Sequence, residues 1–173
     1  MSIAIVNIVC SGDLNTEINL EEIRKSGDTS FSYNPSKYHG GYVILSSRKA
    51  TIYHTGKYII VGLKSPKEVE QAFFELKQFL SRFVDVSKAE KPEIKNIVAV
   101  GDLGTNVDLT KFSLMLGLEN VEYEPEQFPG LVYRYKKLTS LIFSSGKVVL
   151  TGARDISELE ELFNKIKELV AMI

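Results

Sequence analysis

The stretch LIFSSGKVVLTGAR, from Leu141 to Arg154, decides the fold of this chain because it predicts two short strands and the turn that joins them. The turn falls at residues 144–146, where a glycine favours a tight reversal. Successive side chains of a strand point to opposite faces of a sheet. One face carries Leu141, Phe143, Val149 and Thr151, and the other carries Ile142, Val148 and Leu150. Both faces are largely apolar, so one can pack on helices and the other needs a further partner.

The same pattern occurs twice in the chain. The stretch TIYHTGKYIIVGLK at 51–64 matches the stretch at 141–154 at an offset of 90 residues. Two further pairs keep the same order: NIVCSGDL at 7–14 with NIVAVGDL at 96–103, and YNPSKYHGGY at 33–42 with YEPEQFPGLV at 123–132. A fixed order and spacing of this kind is typical of a duplicated unit. We therefore predict a first repeat over residues 1–90 and a second over residues 91–173, joined into one structural unit.

Each repeat is predicted to contain one strand, a short helix, three further strands and a long amphipathic helix. Glycines in the tight turns and a proline before the three strands mark the boundaries. The predicted strands are 3–11, 38–46, 49–54 and 57–63, and then 94–100, 128–136, 139–143 and 147–152. The predicted helices are 20–25 and 65–83, and then 109–116 and 155–173.

The long helices require one face of the predicted sheet, and strand alternation assigns residues to it. This helix-facing set is Ile8, Val43, Ile52, Tyr58 and Ile60 in the first repeat and Ile97, Leu131, Tyr133, Ile142, Val148 and Leu150 in the second. The opposite set, which we call the open face, is Asn7, Val9, Tyr38, Tyr42, Tyr53, Ile59 and Val61, and then Asn96, Val98, Phe128, Val132, Phe143, Val149 and Thr151. An apolar sheet face left free by helices must be covered by something else.

Composition and charge exclude several classes of protein. The formal net charge is −1, from 21 basic and 22 acidic residues, so overall charge gives no support for nucleic-acid binding. One cysteine, Cys10, excludes a disulfide framework and a cysteine metal site. His39 and His54 lack carboxylates at ligand spacing, so we expect no metal or cofactor. The sequence contains no pattern of a signal peptide, a membrane span or a nucleophile with its base, so we expect neither a membrane protein nor an enzyme.

Three segments resemble the TATA-box-binding protein family, and the second repeat is similar to its archaeal members. They are NIVAVGDL at 96–103, YEPEQFPGLVYR at 123–134 and LIFSSGKVVLTGAR at 141–154. The resemblance covers nearly the whole chain. It implies an α+β saddle, in which two pseudo-symmetric repeats form one curved antiparallel sheet with helices on the convex face. The open face would then be concave and would lie in the minor groove of A·T-rich DNA.

The side chains of the open face fit the minor groove of A·T pairs, which presents only hydrogen-bond acceptors. Asn7, Asn96 and Thr151 can donate to those acceptors, whereas small apolar side chains would leave the amine of a G·C pair unpaired. Phe128 and Phe143 match the wedges that enter between base steps in this family, and basic side chains at the edge of the face would meet phosphates. The full set expected to contact DNA is Asn7, Val9, Tyr38, Tyr53, Lys57, Ile59, Val61, Asn96, Val98, Phe128, Pro129, Val132, Arg134, Leu141, Phe143, Lys147, Val149 and Thr151.

The first repeat departs from the family pattern at matching positions. Tyr38 and Tyr53 stand where the second repeat has its phenylalanine wedges. The hydroxyl of a tyrosine needs a partner when it is buried. Val61 stands at the position of Thr151 and cannot donate a hydrogen bond. We therefore expect the phenylalanines to contribute more to DNA bending than the tyrosines.

An acidic loop gives the second repeat a further expected role. Glu124, Glu126 and Gln127 precede the first wedge, and in the family this loop meets transcription factor B. The matching loop of the first repeat, SYNPSKY at 32–38, lacks the two acids. The resemblance thus implies double-stranded promoter DNA and transcription factor B as partners, RNA polymerase as an indirect partner, and no membrane. It also allows a homodimer through the concave face when no DNA is bound.

The resemblance implies a general transcription initiation factor that binds and bends A·T-rich DNA. Such a protein would act in the cytoplasm at the nucleoid of an archaeon, or in a eukaryotic nucleus. One alternative is a family paralogue that acts mainly as a protein-interaction module with weakened DNA binding. A third possibility, an accessory domain of an enzyme, is disfavoured because we expect the chain to end with the second long helix.

Overall fold

The computed structural model describes residues 3–46 and 48–173, and within them the chain forms ten strands and four helices. The first half carries β1 (Ile3–Asp13), α1 (Leu20–Lys25), β2 (Phe31–Ser32), β3 (Gly41–Leu45), β4 (Arg48–Ile52), β5 (Lys57–Leu63) and α2 (Pro66–Leu80). The second half carries β6 (Glu93–Asp102), α3 (Leu109–Leu116), β7 (Val121–Glu122), β8 (Leu131–Tyr135), β9 (Leu138–Ile142), β10 (Lys147–Ala153) and α4 (Ile156–Val170). Met1, Ser2 and Ser47, which the predicted first repeat includes, lie outside the described residues.

The two long helices begin where the sequence supplies a capping side chain. The Ser65 hydroxyl accepts a hydrogen bond from the N–H of Glu68 at 3.2 Å, and Pro66 follows at the first helical position, where an N–H is not needed. The Asp155 carboxylate accepts from the N–H of Ser157 at 2.9 Å. Each helix then buries one apolar stripe: Val69, Ala72, Phe73, Leu76 and Leu80 in α2, and Leu159, Leu162, Phe163, Ile166 and Val170 in α4. In the part of the chain that the structure describes, no helix is both long enough and apolar enough to cross a membrane.

The strands are hydrogen-bonded in the order β2-β3-β4-β5-β1-β6-β10-β9-β8-β7, and the registers found between neighbours are antiparallel. Tight turns join β4 to β5 and β9 to β10. Gly56 and Gly146 occupy these turns with φ of 95° and 94°. A side chain there would be strained by the backbone angle, and its Cβ would lie 2.3 Å from the carbonyl oxygen of Thr16 or Thr105. Glycine is therefore required at both turns.

The described residues divide into two compact units, which we call the first unit (Asn7–Lys95) and the second unit (residues 3–6 with Asn96–Ile173). In the first unit α2 packs on β3 and β5, and the ring of Tyr58 stacks on Phe73 with centroids 5.9 Å apart. In the second unit α4 packs on β10. All residues of the predicted helix-facing set are buried in their units. The boundary predicted after residue 90 concerns the sequence repeats and stays a prediction.

Two predicted strands begin too early, and two strands were missed. The predictions of strand from residue 38 and from residue 128 are wrong, because β3 begins at Gly41 and β8 at Leu131. The turn before each of these strands continues past its proline to the aromatic residue. The N–H of Tyr38 donates to the carbonyl oxygen of Asn34 at 3.0 Å, and the N–H of Phe128 donates to that of Glu124 at 3.0 Å. The two-residue strands β2 and β7 are too short to show an alternating pattern.

Candidate nucleic-acid interface

Each unit presents a sheet face that its helices leave uncovered. On β5 the helix-facing Ile60 is fully buried, whereas the neighbouring Val61 on the open face is 39% exposed. On β10 Leu150 is fully buried, and Thr151 on the open face is half-buried. The other central side chains of the two open faces are also partly exposed: Val9, Ile59, Val98 and Val149. In each unit the centre of the open face is therefore a shallow surface of small, mostly apolar side chains.

An anchored asparagine lies on each open face. The side-chain oxygen of Asn96 accepts a hydrogen bond from the backbone N–H of Gly152 at 2.9 Å, and that of Asn7 accepts from Gly62 at 2.8 Å. The strand register shifts beside both asparagine–glycine pairs, and the two glycines have positive φ angles of 101° and 85°. Because the oxygen is held by the backbone, the amide NH₂ of each asparagine faces away from the glycine; one N–H of Asn96 donates to the Oγ1 of Thr151, and its second N–H can donate elsewhere.

The second unit adds a hydroxyl beside its asparagine. The Nδ2 of Asn96 lies 3.1 Å from the Oγ1 of Thr151. Val61 occupies the matching place in the first unit and supplies no hydroxyl. The donor set predicted from the sequence therefore comes together in the second unit as Asn96 with Thr151, and in the first unit it consists of Asn7 alone.

A pair of aromatic rings stands at the end of each open face, and we call each pair an aromatic tip. The rings of Phe128 and Phe143 meet edge to face, with centroids 5.8 Å apart and planes at 67°. The rings of Tyr38 and Tyr53 repeat this geometry at 6.1 Å and 71°. Phe128 is 39% exposed and Tyr38 is 38% exposed. All four rings lie in or beside loops, just outside the strands.

A glycine lies directly beneath each aromatic tip. A Cβ at Gly130 would lie 2.7 Å from the Cε2 of Phe128 and 3.0 Å from the Cε1 of Phe143. A Cβ at Gly40 would lie 2.8 Å from the Cε2 of Tyr38. The separations of 2.7 Å and 2.8 Å are shorter than carbon atoms allow, so the rings can rest where they do only because these glycines carry no side chain.

The two tyrosine hydroxyls are partners of each other. The Oη of Tyr38 lies 2.7 Å from the Oη of Tyr53, and both oxygens remain at the surface. This hydrogen bond, together with burial, raises the pKa of Tyr53 to about 12. The partner that a buried tyrosine hydroxyl needs is therefore supplied within the tip.

The first unit surrounds its tip with further groups that the predicted set of DNA contacts omitted. The ring of Tyr42 stacks on Tyr38 at 6.1 Å with planes at 8°, and the ring of His39 lies 4.4 Å from Tyr38. The Nζ of Lys49 lies 4.0 Å from the centre of the Tyr42 ring, a cation–π contact. Alignment of the two repeats at the offset of 90 residues could have identified these groups. At the matching positions the second unit has Pro129, Val132 and Thr139, so the aromatic, imidazole and ammonium groups belong to the first unit alone.

The predicted phosphate contacts are exposed cations that already lie beside carboxylates. Lys147 lies 3.0 Å from Asp102 in the second unit, and Lys57 lies 3.6 Å from Asp13 in the first. The N–H of Gly104 and then the Lys147 ammonium hold the pKa of Asp102 below its usual value. Arg134 similarly lies 3.0 Å from Glu122. Exposed pairs of this kind are weak, so these cations remain available to another anion.

The remaining predicted residues lie around the phenylalanine tip. Val132 and Leu141 face each other across β8 and β9, and Pro129 is exposed next to Phe128. Glu124, Glu126 and Gln127 form the exposed turn before the tip. The structure thus places every predicted contact on an open face, on its edge or in the adjoining turn. Among residues 3–46 and 48–173, no cluster of His, Cys, Asp and Glu is placed to hold a metal ion.

Comparison with known proteins identifies relatives over the whole chain. The model of the family "Transcription factor TFIID (or TATA-binding protein, TBP)" matches residues 2–83 and again 91–173. The TATA-box-binding protein C of Halobacterium salinarum is 39% identical over 184 residues, covering 98% of this chain and 100% of the relative. The TATA-box-binding protein of Thermoplasma acidophilum is 40% identical over 172 residues, covering 96% and 92%.

A solved structure has the same fold. The TBP of Methanococcus jannaschii superposes with a TM-score of 0.83 at 35% sequence identity, and the match covers 100% of both chains. This likeness confirms the α+β fold class predicted from the sequence.

Proposed function

The chain belongs to the TATA-binding protein family of transcription initiation factors, and from that premise we propose that it binds the minor groove of A·T-rich promoter DNA. In this proposal it bends the duplex and recruits transcription factor B, through which RNA polymerase reaches the promoter. The family consists of DNA-binding factors without enzymatic activity, so the chain is not an enzyme.

The anchored asparagines carry this proposal. Each unit fixes an amide oxygen on a bulge glycine, through Asn7 with Gly62 and Asn96 with Gly152, and leaves at least one amide N–H for an outside acceptor. The minor groove of an A·T pair offers adenine N3 and thymine O2, which are both acceptors. A G·C pair adds the exocyclic amine of guanine, and the small apolar side chains beside the asparagines give that amine no acceptor. The donor set therefore favours A·T pairs.

The aromatic tips support the bending part of the proposal. Partly exposed rings that rest on a glycine can enter a base step without first leaving a packed core. Inserted side chains unstack the step and kink the duplex, as they do in the TBP family. The loss of stacking is of the order of a few kcal/mol per step and is offset by the larger surface that the bent duplex contacts.

The acidic turn of the second unit supports the recruitment of transcription factor B. The carboxylates of Glu124 and Glu126 are exposed, whereas the matching turn of the first unit has Asn34 and Ser36. A partner that carries basic residues would therefore prefer the second unit. When no DNA is bound, we propose that the apolar open faces pair two copies of the chain. The named relatives are archaeal, which supports the proposal that the chain acts on DNA of the nucleoid.

A gel-shift titration tests the proposed function. The protein is titrated onto a labelled TATA duplex and onto a G·C duplex of equal length, with and without an archaeal transcription factor B. The proposal expects binding of the TATA duplex, a tighter ternary complex, and affinity that falls as salt rises because phosphate contacts release counterions. Equal affinity for both duplexes without salt dependence, together with binding of transcription factor B alone, would instead support the protein-interaction paralogue.

A further inference from the structure

We propose that the two units read different base pairs: the first unit accepts a G·C pair beside its aromatic tip, and the second unit excludes one. The inference rests on the proposed function, because it assigns a base preference to each half of a minor-groove interface. It follows from the chemistry of the two aromatic tips, which have similar shapes and different polar groups.

The two tips are matched in geometry. The ring centroids are 6.1 Å apart for Tyr38 with Tyr53 and 5.8 Å apart for Phe128 with Phe143, at interplanar angles of 71° and 67°. A glycine lies under each pair. The tips are therefore expected to approach a base step in the same way, and the hydroxyls are what distinguishes them.

The tyrosine tip presents hydrogen-bonding groups that the phenylalanine tip lacks. One of the two tyrosine protons is used in the hydrogen bond of 2.7 Å between the Oη atoms of Tyr38 and Tyr53. The other O–H group and lone pairs on both oxygens remain, and both oxygens lie at the surface. The tip can therefore donate to adenine N3 or thymine O2 and can also accept from the amine of guanine.

Neighbouring residues hold the tyrosine tip in place and add to its polarity. Tyr42 stacks on Tyr38 with planes at 8°, which fixes the direction of the Tyr38 hydroxyl. The His39 ring lies 4.4 Å from the Tyr38 ring and 5.2 Å from the Tyr53 ring, and brings a further ring nitrogen to the cluster. At the matching positions the second unit has Pro129 and Val132, which offer no side-chain acceptor. A guanine amine next to that tip would lose its water without gaining a partner.

A difference of this kind gives the target site a direction. On a duplex whose core is A·T and whose one end carries G·C, the tyrosine tip would take the G·C end and the phenylalanine tip the A·T end. On a duplex with G·C at both ends, the phenylalanine tip would meet a guanine in either orientation. The expected affinity therefore depends on how many ends carry G·C pairs.

Binding measurements on three duplexes test the inference. They share one A·T core and carry G·C at the outer contacted step of neither end, of one end or of both ends. For the natural protein we expect one G·C end to change Kd by no more than about twofold, and two G·C ends to weaken binding about tenfold, the usual cost of one mismatched base pair. A loss of about tenfold for one G·C end would overturn the inference.

Variants of the tips provide the matched comparison. In Tyr38→Phe/Tyr53→Phe, one G·C end should weaken binding about tenfold relative to the same variant on the A·T duplex, whatever its affinity for that duplex. In Phe128→Tyr/Phe143→Tyr, the penalty for two G·C ends should shrink. Unchanged ratios among the three duplexes in the first variant, with thermal unfolding like that of the natural protein, would overturn the inference.

An orientation measurement separates this inference from the proposed function. Thr55 and Ser145 occupy matching exposed positions in the turns beside the two tips. Each is changed to cysteine and loaded with a DNA-cleaving reagent; Cys10 is buried and burial raises its pKa to about 11, so it does not compete. On the duplex with one G·C end, Thr55→Cys should cut near that end and Ser145→Cys near the other. Equal cutting of both ends would refute the inference while leaving the proposed function intact, whereas failure to bind even the A·T duplex would refute the proposed function.

Discussion

The side-chain oxygen of Asn96 accepts a hydrogen bond from the backbone N–H of Gly152 at 2.9 Å, across the bulge in β10. At the bulge the N–H of Gly152 points out of the strand ladder and needs another hydrogen-bond acceptor. By supplying that partner, Asn96 fixes its own orientation and turns its NH₂ group away from Gly152. A structural hydrogen bond thus sets the direction of a proposed base contact.

The substitution Asn96→Asp separates these two roles. The carboxylate keeps an acceptor for the N–H of Gly152, so we expect thermal unfolding at neutral pH to stay close to that of the natural protein. It has no donor for the groove acceptors, so affinity for an A·T duplex should fall by about 1–3 kcal/mol or more. In Asn96→Ala both the thermal unfolding temperature and the affinity for an A·T duplex should fall, because the N–H of Gly152 then loses its partner as well. Full affinity in Asn96→Asp would rule out the base contact.

Substitutions in the aromatic tips should have unequal effects on bending. Phe143→Ala removes a wholly apolar wedge, so we expect strongly weakened binding and a less bent duplex, measured by fluorescence transfer between the duplex ends. Tyr53→Ala should weaken binding less. Tyr53→Phe should leave A·T binding within about twofold, because the exposed Tyr38 hydroxyl can turn to water. If Phe143→Ala binds and bends DNA like the natural protein, the phenylalanine tip is not a wedge.

The substitution Gly130→Ala tests how the phenylalanine tip is supported. The added Cβ would lie 2.7 Å from Phe128, so the ring must turn away. The clash involves only ring atoms at the surface, so we expect a loss of stability of no more than about 1 kcal/mol and a clear loss of bending. Gly40→Ala is the matched change in the first unit. Unaltered bending in Gly130→Ala would show that the resting position of the ring does not matter.

The tyrosine hydrogen bond should be visible in a pH titration. A phenol usually titrates near pH 10, and the hydrogen bond from Tyr38 raises the pKa of Tyr53 to about 12. A raised folded-state pKa means that the folded state holds this proton longer than the unfolded state does. Its contribution to stability is therefore complete below about pH 10 and is lost as pH rises toward 12. Ultraviolet titration of Tyr38→Phe should show one tyrosine moving back toward pH 10, and an identical titration curve would contradict the hydrogen bond.

Local periodicity in the sequence predicted the open faces, whereas the α+β fold was implied by the resemblance to the family. Alternation along β5 and β10 separated buried from open residues correctly, since the side-chain period of a strand is two. The anchor between Asn96 and Gly152 could not be predicted, because it joins residues 56 positions apart through a bulge. The hydroxyl pair of Tyr38 and Tyr53 could not be predicted for a similar reason, because the turn that brings the two rings together lies outside the alternating pattern.

The most direct test of the account uses inosine·cytosine pairs. In the minor groove such a pair presents acceptors like those of an A·T pair and lacks the amine of guanine, while its major groove resembles that of G·C. Affinity and bending are measured on a TATA duplex and on versions in which every pair of the site is I·C or G·C. The account predicts that the I·C duplex behaves like the TATA duplex and that the G·C duplex binds at least about tenfold more weakly. If the I·C duplex instead behaves like the G·C duplex, the protein does not read the minor groove and the central claim is wrong.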